Sequence, residues 1–228
     1  MNIAFIPVRG GSKSIPLKNI KLINGHPLVF WTTKASNDAH CIDKVIIATD
    51  NEEIKTTVLN FNFPKVEVYD RDVQNAEDTS STESVMLEYL KKTEFKNDDL
   101  FFLIQATSPM LKSEHIDNMY KNFIKSNADS MFSGVLEKQF HWKFSPNNQN
   151  AYVSPVNYDY KKRPRRQDFE GLIAENGACY INSVGNIKVD KCRLSGKIAA
   201  FQLPSYAGYE IDEPEDWIIV EELMKKIL

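Results

Sequence analysis

The residues best suited to binding a charged ligand lie in one loop near the start of the sequence. An apolar run at residues 3–8 is followed by a glycine- and serine-containing stretch, residues 9–19, that carries three cationic side chains. Small residues such as Gly10, Gly11 and Ser12 let backbone N–H groups approach a phosphate closely, and such loops follow the strands of open α/β sheets. Neither GxxxxGK(S/T) nor GxGxxG can be written here, which excludes a Walker A loop and a dinucleotide fingerprint. The sequence therefore predicts a phosphate-binding loop, with an ordinary solvent-exposed loop as the alternative.

Two carboxylates near the end of the sequence form a second candidate site. Glu210 and Asp212 are two residues apart, and on an extended segment side chains at this spacing point to the same face. Two convergent carboxylates suit a hard cation such as Mg²⁺. The alternative is that these acids complement the N-terminus of a helix that begins at Pro214, as we expect of Glu215 and Asp216. The four histidines show no ligand spacing and no Ser/His/Asp set is visible, so we predict no nucleophilic side chain.

A strongly basic run stands between these two candidates. Residues 161–166 contain five cationic side chains and one proline, which in isolation is typical of a nuclear-localisation signal or a nucleic-acid contact. Acidic and aromatic residues follow directly at positions 167–170, and the whole chain has 28 Lys and Arg against 31 Asp and Glu, a net charge of -3. A dedicated nucleic-acid binder usually has a strong basic excess. We therefore expect no nucleic-acid partner; the contrary hypothesis predicts steeply salt-dependent DNA or RNA binding.

The elements that would position these groups alternate between strands and helices. Short apolar runs predict strands at residues 3–8, 44–49, 66–69, 100–105 and 130–135. Helical patterns between them predict helices at residues 27–37, 51–61 and 113–126. Asp50 is the expected N-cap of the second helix. This alternation implies right-handed crossovers and a mainly parallel sheet covered on both faces, a three-layer α/β fold.

The regular alternation ends after residue 135. Residues 137–170 are polar, aromatic and proline-containing, and a long irregular stretch in a compact domain is usually functional or an interface arm. Strand-like runs return at residues 178–182 and 198–203, and a last helix is expected at residues 214–228. We predict a single domain over residues 1–228 with an arm inserted at residues 137–165.

Composition limits the class of protein. The 228 residues are 42% hydrophobic and 26% charged, which is typical of a compact globular chain. Cys41, Cys179 and Cys192 lie far apart without a zinc-type spacing, and the first residues lack the basic and apolar regions of a signal peptide. No stretch approaches the roughly 18 uninterrupted apolar residues of a membrane helix. We therefore predict a cytoplasmic protein that has no membrane partner.

The loop of residues 9–19 resembles the nucleotide-binding signature of the acylneuraminate cytidylyltransferase family, the CMP-sialic acid synthetases. Further blocks that resemble this family follow in order at residues 48–50, Arg71, and residues 78–82, 105–109, 163–168, 175–178 and 211–216. The blocks extend from Ile3 to Trp217 and so cover nearly the whole sequence. For the fold, the resemblance implies a Rossmann-like sheet of the nucleotidyltransferase type with a small dimerisation arm.

For the activity, the resemblance implies transfer of CMP from CTP to the anomeric hydroxyl of a nine-carbon 2-keto sugar acid, with release of pyrophosphate and with Mg²⁺ as cofactor. Arg9, Lys18 and Asp212 match catalytic positions. The positions that match nucleotide contacts are Val8, Arg9, Gly10, Gly11, Ser12, Lys18, Asn19, Arg71 and Thr82. Thr82 stands where the family often has Ser, a change that keeps the hydroxyl group.

By the same resemblance, the later blocks bind the sugar acid and the metal. The positions that match sugar-acid contacts are Gln105, Thr107, Lys143, Arg166, Gln167 and Asn176. Arginine suits a carboxylate because its planar fork can bind both oxygens. Asp212 and Glu210 match the metal positions, at both of which the family usually has Asp. The arm resembles the part that reaches a second subunit, so we expect a homodimer in which Lys143 reaches the partner's sugar site.

Two other functions remain open. One is activity of the CMP-Kdo synthetase type on an eight-carbon acid, although the blocks at residues 163–168 and 175–178 favour the nine-carbon type. The other is a non-catalytic nucleotide-binding module, since a fold does not fix an activity. Such a module would be expected to lose Arg9, Lys18 or Asp212, and all three are present. The shape of the pocket decides which nine-carbon acid is bound.

Overall fold

The computed structural model describes residues 1–75, 80–145 and 148–227. Within these ranges the strands are β1 (Asn2–Pro7), β2 (Leu22–Ile23), β3 (His26–Pro27), β4 (Lys44–Thr49), β5 (Val66–Asp70), β6 (Leu100–Ile104), β7 (Ser130–Glu137), β8 (Trp142–Ser145), β9 (Asn148–Pro155), β10 (Leu172–Ser183) and β11 (Ile198–Gln202). The helices are α1 (Leu28–Asp38), α2 (Glu52–Leu59), α3 (Thr82–Lys91), α4 (Ser113–Ser126), α5 (Val184–Asp190) and α6 (Pro214–Ile227). Asp78 and Thr79 of the block at residues 78–82 lie outside the described residues.

Seven strands form the main sheet, in the order β11-β7-β10-β6-β1-β4-β5. Strand β1 pairs in parallel with β4 and β6, β4 pairs in parallel with β5, and β7 pairs in parallel with β11. Strand β10 runs antiparallel to both of its neighbours, β6 and β7. The prediction of a mainly parallel sheet is therefore confirmed, with one reversed strand, β10, between β7 and β6.

Helices cover both faces of this sheet because its central strands are apolar on both sides. In β1, Ala4 and Ile6 belong to a core cluster with residues of α1, α2 and α4. Ile3 and Phe5 point the other way and belong to a second cluster with residues of α3 and α5. A third cluster packs α6 against the hairpin β2–β3 and the start of α1. The result is the expected three-layer α/β fold.

The cap of α2 corrects one prediction. The Asn51 side chain accepts hydrogen bonds from the backbone N–H groups of Glu53 and Ile54, both at 3.0 Å, and is the N-cap. The prediction that Asp50 is this cap is wrong, because Asp50 lies one residue too early and its carboxylate instead accepts a hydrogen bond from the Gly10 backbone N–H. Asp50 is thereby available to the loop that follows β1.

Other elements differ in extent from the predictions. The sequence pattern misses α3 and α5, and β10 begins at Leu172, six residues before the predicted strand at 178–182. Residues 137–170 are less irregular than expected, since β8 and β9 pair there as an antiparallel hairpin. The single-domain prediction for residues 1–228 and the arm boundaries at 137–165 stay predictions. In the ranges that the structure describes, every helix is too short or too polar to cross a lipid bilayer.

Candidate functional site

The loop after β1 is held by residues that follow β4. The Gly10 backbone N–H donates to Asp50 Oδ1 at 3.2 Å. A Cβ atom at Gly10 would lie 2.7 Å from Asn51 Nδ2, so glycine is what lets the loop approach the start of α2 this closely. Asn19 is buried and donates from Nδ2 to the Arg9 carbonyl at 3.0 Å. The loop therefore has a defined path along the carboxyl edge of the sheet.

The middle of this loop keeps accessible backbone. The Ser12 backbone N–H donates to the Gly10 carbonyl at 3.2 Å, which turns the chain. Gly11 is exposed, and a Cβ atom there would meet nothing within 4 Å. This open space around the backbone is what the phosphate-binding prediction requires, and the contacts themselves stay a prediction.

The far end of the loop is joined to the segment before α6. Lys18 Nζ donates to the Ile211 carbonyl at 2.8 Å and to Asp212 Oδ1 at 3.1 Å. Ser14 Oγ donates to Glu213 Oε1 at 3.2 Å. The structure thus brings together the predicted catalytic residues Lys18 and Asp212, which are 194 positions apart in the sequence.

A cavity of about 250 Å³ lies where β1, β5 and β6 end and α3 begins. It is lined by Pro7, Arg9, Arg71, Ser80, Ser81, Thr82, Val85 and Gln105. Four predicted site residues from four separate sequence blocks therefore share one cavity. With two guanidinium groups and several hydroxyl groups in its walls, the cavity suits a polar or anionic ligand.

Arg71 places a buried cation in the wall of this cavity. The residue is 8% exposed, and its Nε has no hydrogen-bond acceptor among the described residues. Burial lowers the pKa of Arg71, while the charges of Asp50 and Glu88 raise it and that of Arg9 lowers it. A buried donor without an acceptor costs about 1–3 kcal/mol, and more when it is charged. Among the described residues, Arg71 therefore keeps an unpaired buried donor beside the cavity that its side chain lines.

The turn after β6 joins this cavity to the carboxylate segment. The Gln105 backbone N–H donates to the Ala178 carbonyl at 3.3 Å, and the Thr107 carbonyl accepts from the Ile211 N–H at 2.9 Å. The turn is thereby tied to β10 on one side and to the residue between Glu210 and Asp212 on the other. That Gln105 and Thr107 contact a sugar acid stays a prediction.

Glu210 and Asp212 concentrate negative charge at the same edge. Asp212 is 65% exposed and pairs with Lys18. Glu210 is half-buried, and burial raises its pKa to about 7; Asp212, Asp216 and Glu175 add to this effect, whereas Lys18 opposes it. The carboxylates at this point exceed the nearby ammonium groups, so another cation would stabilise the ionised form of Glu210.

Gly177 makes room for the Glu210 carboxylate. It lies in β10 where the register with β7 shifts, and its φ is +65°. A Cβ atom at Gly177 would lie 3.1 Å from Glu210 Oε1. The described residues contain no group of three or more His, Cys, Asp or Glu side chains that could hold a metal. The donor set of Glu210 and Asp212 fits Mg²⁺, because this ion is usually bound by one or two carboxylates together with phosphate oxygens and water.

Two predicted residues serve the fold by the contacts they make. Val8 is buried in the core, and its backbone N–H donates to the Ala48 carbonyl at 2.9 Å. Asn176 is also buried: its Oδ1 accepts from Ser133 Oγ at 2.8 Å and its Nδ2 donates to the Ala207 carbonyl at 3.0 Å. These bonds give Asn176 a structural role, and contact of either residue with a ligand stays a prediction.

The basic run lies at different cavities. Its three arginines, together with residues 138–140, line an open cavity of about 630 Å³. Arg166 also lines a cavity of about 330 Å³ that extends to Tyr209, the neighbour of Glu210. Gln167 is exposed, and its carbonyl accepts from Lys138 Nζ at 3.4 Å. Lys143 is exposed on β8 and lines none of these three cavities, so one chain does not bring it to the other predicted site residues.

Three residues that shape the site are absent from the predicted set. Asp50 anchors the loop, and its position directly after β4 is a signal that could have identified it, since ligands bind at the carboxyl ends of strands. Gly177 could have been identified as an isolated glycine in a strand pattern. Glu88, which lies beside Arg71, carries no local signal because its partners come from another segment.

The fold has three layers, with a cation-bearing glycine loop and paired carboxylates at the carboxyl edge of the central sheet. These features are typical of the class of Rossmann-like nucleotidyltransferases. A solved structure, CMP:2-keto-3-deoxy-manno-octonic acid synthetase complexed with CTP, is similar with a TM-score of 0.70 and 17% identity, covering 100% of this chain and 99% of that one. A likeness at this identity concerns the fold. The chain belongs to the cytidylyltransferase family, whose signature matches residues 3–176.

Among curated relatives, N-acylneuraminate cytidylyltransferase A of Danio rerio is 33% identical over 219 residues, which is 96% of this chain and 50% of the relative. N-acylneuraminate cytidylyltransferase of Oncorhynchus mykiss is 34% identical over 220 residues, 96% of this chain and 49% of the relative. The chain therefore spans about half the length of the curated relatives that it matches. The predicted resemblance to this family is confirmed.

Proposed function

We propose that this chain transfers a cytidylyl group from CTP to the anomeric hydroxyl of a nine-carbon 2-keto sugar acid and releases pyrophosphate. The observation that carries the proposal is the convergence of Arg9 and Arg71 on one cavity, with Lys18 of the same loop at Asp212. The name of the relatives, N-acylneuraminate cytidylyltransferase, supports both the nucleotide and the class of acceptor.

The loop after β1 would bind the triphosphate. Arg9 and Lys18 supply positive charge, and the exposed backbone around Gly11 leaves space for phosphate oxygens. Cations fixed in place before the reaction stabilise the charge that develops on the leaving pyrophosphate. Asn19 keeps the loop in position through its bond to the Arg9 carbonyl.

The cavity beside the loop would bind cytosine. Cytosine presents two acceptors, the O2 carbonyl and N3, and the Arg71 guanidinium, which can only donate, lines the cavity. Thr82, the first residue of α3, adds a hydroxyl group to the lining of the cavity.

Mg²⁺ belongs to the proposal, held by Asp212 and Glu210. When bound there, Mg²⁺ neutralises charge on the phosphate oxygens of the nucleotide. The half-buried position of Glu210 against Gly177 and its raised pKa support the binding of a cation by this carboxylate.

The acceptor hydroxyl would act as the nucleophile, since the hydroxyl side chains that line the cavity have no histidine among the described lining residues to activate them. It attacks the α-phosphorus in line as the bond from this phosphorus to pyrophosphate breaks, and its proton passes to solvent. Arg166 would bind the acceptor carboxylate through its planar fork, with Gln167, Gln105 and Thr107 as polar contacts. Asn176 would support this end of the site through Ser133 and Ala207.

A homodimer formed through the arm is part of the proposal. Trp142, Phe144 and Tyr152 of the β8–β9 hairpin are 44%, 62% and 68% exposed, which is typical of side chains that an interface covers. Lys143 of the same hairpin would then reach the partner's sugar site. Phe144→Glu should convert a dimer to a monomer in sedimentation experiments, with CTP binding kept and turnover lost. A monomeric wild-type protein with full activity would contradict this arrangement.

A cytoplasmic location is also proposed. It is supported by the three cysteines, Cys41, Cys179 and Cys192, none of which forms a disulfide. Imaging of a tagged chain in its source cells tests it, and a secreted product would contradict it.

Pyrophosphate release tests the proposed reaction. The purified chain would be given CTP, Mg²⁺ and, one at a time, N-acetylneuraminate, its deaminated analogue, legionaminate and the eight-carbon acid Kdo. We expect release with a nine-carbon acid and not with Kdo, and no release from the Asp212→Ala variant. Release with Kdo alone would favour the CMP-Kdo synthetase alternative. If CTP binds but no acid leads to pyrophosphate release, the alternative of a non-catalytic nucleotide-binding module would be favoured.

A further inference from the structure

Glu88 is a buried carboxylate that the proposed reaction does not use. It is 7% exposed and lies on α3, facing the segment that carries Arg71. Glu88 Oε1 accepts hydrogen bonds from the Tyr69 hydroxyl and, at 3.0 Å, from the Asp72 backbone N–H. Its Oε2 accepts from Asn75 Nδ2 at 2.6 Å. One side chain therefore holds residues on both sides of Arg71 to the helix.

Lys92 offsets part of the negative charge of this cluster. Its Nζ lies 3.2 Å from Glu88 Oε1 and 2.8 Å from Asp72 Oδ1. Burial alone would raise the pKa of Glu88, but hydrogen bonds from Tyr69, Asn75, Asp72 and Lys92 lower it to about 2. The carboxylate is therefore ionised throughout the neutral pH range. A buried charge with four donors is a strong connection, because losing a partner leaves that charge unsatisfied.

The helix that carries Glu88 also contributes to the lining of the 250 Å³ cavity. Val85, one turn before Glu88, and Thr82 at the start of α3 both line the cavity. Arg71 lines the same cavity, and its backbone N–H is bonded to the Thr49 carbonyl at 3.0 Å. Since residues three apart share one face of a helix, Glu88 lies on the same face as Val85 and connects this part of the lining to the segment that carries Arg71.

We propose that Glu88 is a positioning residue for Arg71: by fixing residues 69–75 to α3, it sets the place of the guanidinium group and thereby the preference of the cavity for cytosine over uracil. This inference rests on the proposed function, in which the cavity binds the base of CTP. N3 of cytosine accepts a hydrogen bond, whereas N3–H of uracil donates one, and an arginine can only donate. Such discrimination requires that the donor be held within about 0.5 Å of the productive geometry.

Glu88→Gln tests the inference because it removes the charge with little change in volume. We expect CTP to bind about tenfold more weakly, as measured by calorimetry with nucleotide alone, since small displacements of a binding group have effects of this size. The affinity for UTP should fall by less than the affinity for CTP. The ratio of the UTP dissociation constant to the CTP dissociation constant should therefore fall several-fold. At saturating CTP, kcat and the KM for the sugar acid should change by less than about twofold.

Asp99→Asn is the matched control. Asp99 is also a buried carboxylate, bonded to the N-terminal ammonium at 2.6 Å and to the Lys96 backbone N–H at 2.9 Å, but it does not line the cavity. We expect this variant to lower the melting temperature without changing CTP affinity or the UTP-to-CTP ratio. Tyr69→Phe and Asn75→Ala each remove one donor to Glu88 and should give smaller changes in the direction of Glu88→Gln. They test the inference if Glu88→Gln does not fold.

Unchanged CTP affinity and an unchanged UTP-to-CTP ratio in folded Glu88→Gln, or in both milder variants, would overturn the inference. A wild-type chain that binds CTP but releases no pyrophosphate would refute the transferase proposal alone, and the binding measurements would still decide the role of Glu88. A wild-type chain that does not bind CTP would refute both.

Discussion

The two ends of the candidate site are built in different ways. At the nucleotide end, Arg71 and Asn19 are buried, and the loop between β1 and α1 is bonded to Asp50 and to Asp212. At the acceptor end, Lys143, Arg166 and Gln167 are exposed, and the arm presents large apolar side chains to solvent.

This difference suggests which substrate one chain can bind alone and which substrate requires a partner chain. A preorganised pocket binds its ligand without a large ordering cost, so we expect one chain alone to bind the nucleotide. Exposed arginines bind anions weakly until water is excluded, because solvent screens their charge. We therefore expect the acceptor site to be completed by its ligand and, in the proposed dimer, by the partner.

Asp212→Ala should have the largest effect, since Asp212 lies where the two ends meet. We expect kcat to fall by at least about 10²–10³-fold, because charge stabilisation at the reacting phosphate is lost. The melting temperature should change little, since the Asp212 side chain is 65% exposed. Pyrophosphate release at saturating Mg²⁺ and thermal unfolding measure the two quantities.

The control for Asp212→Ala is Glu222→Gln on α6. Glu222 is an exposed acid whose carboxylate pairs with Lys225 at 2.7 Å, and it lines none of the three cavities described above. Its removal should leave turnover unchanged. Near-normal turnover of Asp212→Ala would place the metal elsewhere and would break the proposed link between the two ends.

Matched substitutions of one arginine from each end should have intermediate effects. Arg71→Met should raise the KM for CTP by about 10–100-fold and leave the KM for the sugar acid unchanged, since each charged hydrogen bond lost costs about 1.5–3 kcal/mol. Arg166→Met should do the reverse. Steady-state kinetics with each substrate varied in turn gives both constants. If Arg166→Met raises the KM for CTP as strongly as Arg71→Met does, the two ends are not separate sites.

Low pH should reduce the stability that Glu88 gives to the nucleotide end of the site. The expected effect on activity is the smallest of those predicted, because Glu88 stays ionised near neutral pH. Burial raises the pKa of Glu88, but its hydrogen bonds lower it from the ordinary 4.5 to about 2. A lowered carboxyl pKa stabilises the fold in full above pH 4.5, and this stabilisation is lost as pH falls toward 2. The difference in unfolding free energy between wild type and Glu88→Gln should therefore shrink by about 3 kcal/mol over this range. Urea unfolding at several pH values measures it, and a constant difference would contradict the assignment.

The fold could be predicted where the signal is local. The apolar runs of β1, β4 and β6 and the helical pattern of α4 lie within single segments, and the structure has these elements within two residues of their predicted bounds. The direction of β10 could not be predicted, because its apolar run would suit a strand of either direction. Helix α3 was missed because it begins in a polar Ser/Thr stretch that carries no strong apolar periodicity.

The site could be predicted to the extent that its residues form sequence blocks. The convergence of Arg9, Arg71, Thr82 and Gln105 on one cavity agrees with the blocks that suggested them, although their contacts with ligands stay predictions. The burial of Arg71 and the role inferred for Glu88 depend on contacts between segments. Such contacts leave no mark on the spacing of residues in either segment.

The reversed direction of β10 has a consequence for synthesis of the chain. Strands β1, β4, β5 and β6 all lie within the first 104 residues, but β6 gains its second neighbour only when Leu172–Ser183 has been made. At about 5–20 residues per second, the apolar edge of Phe101–Ile104 would stay uncovered for roughly 4–16 s. An uncovered strand edge is a template for pairing with another chain. We therefore expect chaperones that bind nascent chains to matter most in this interval, before β10 has paired with β6.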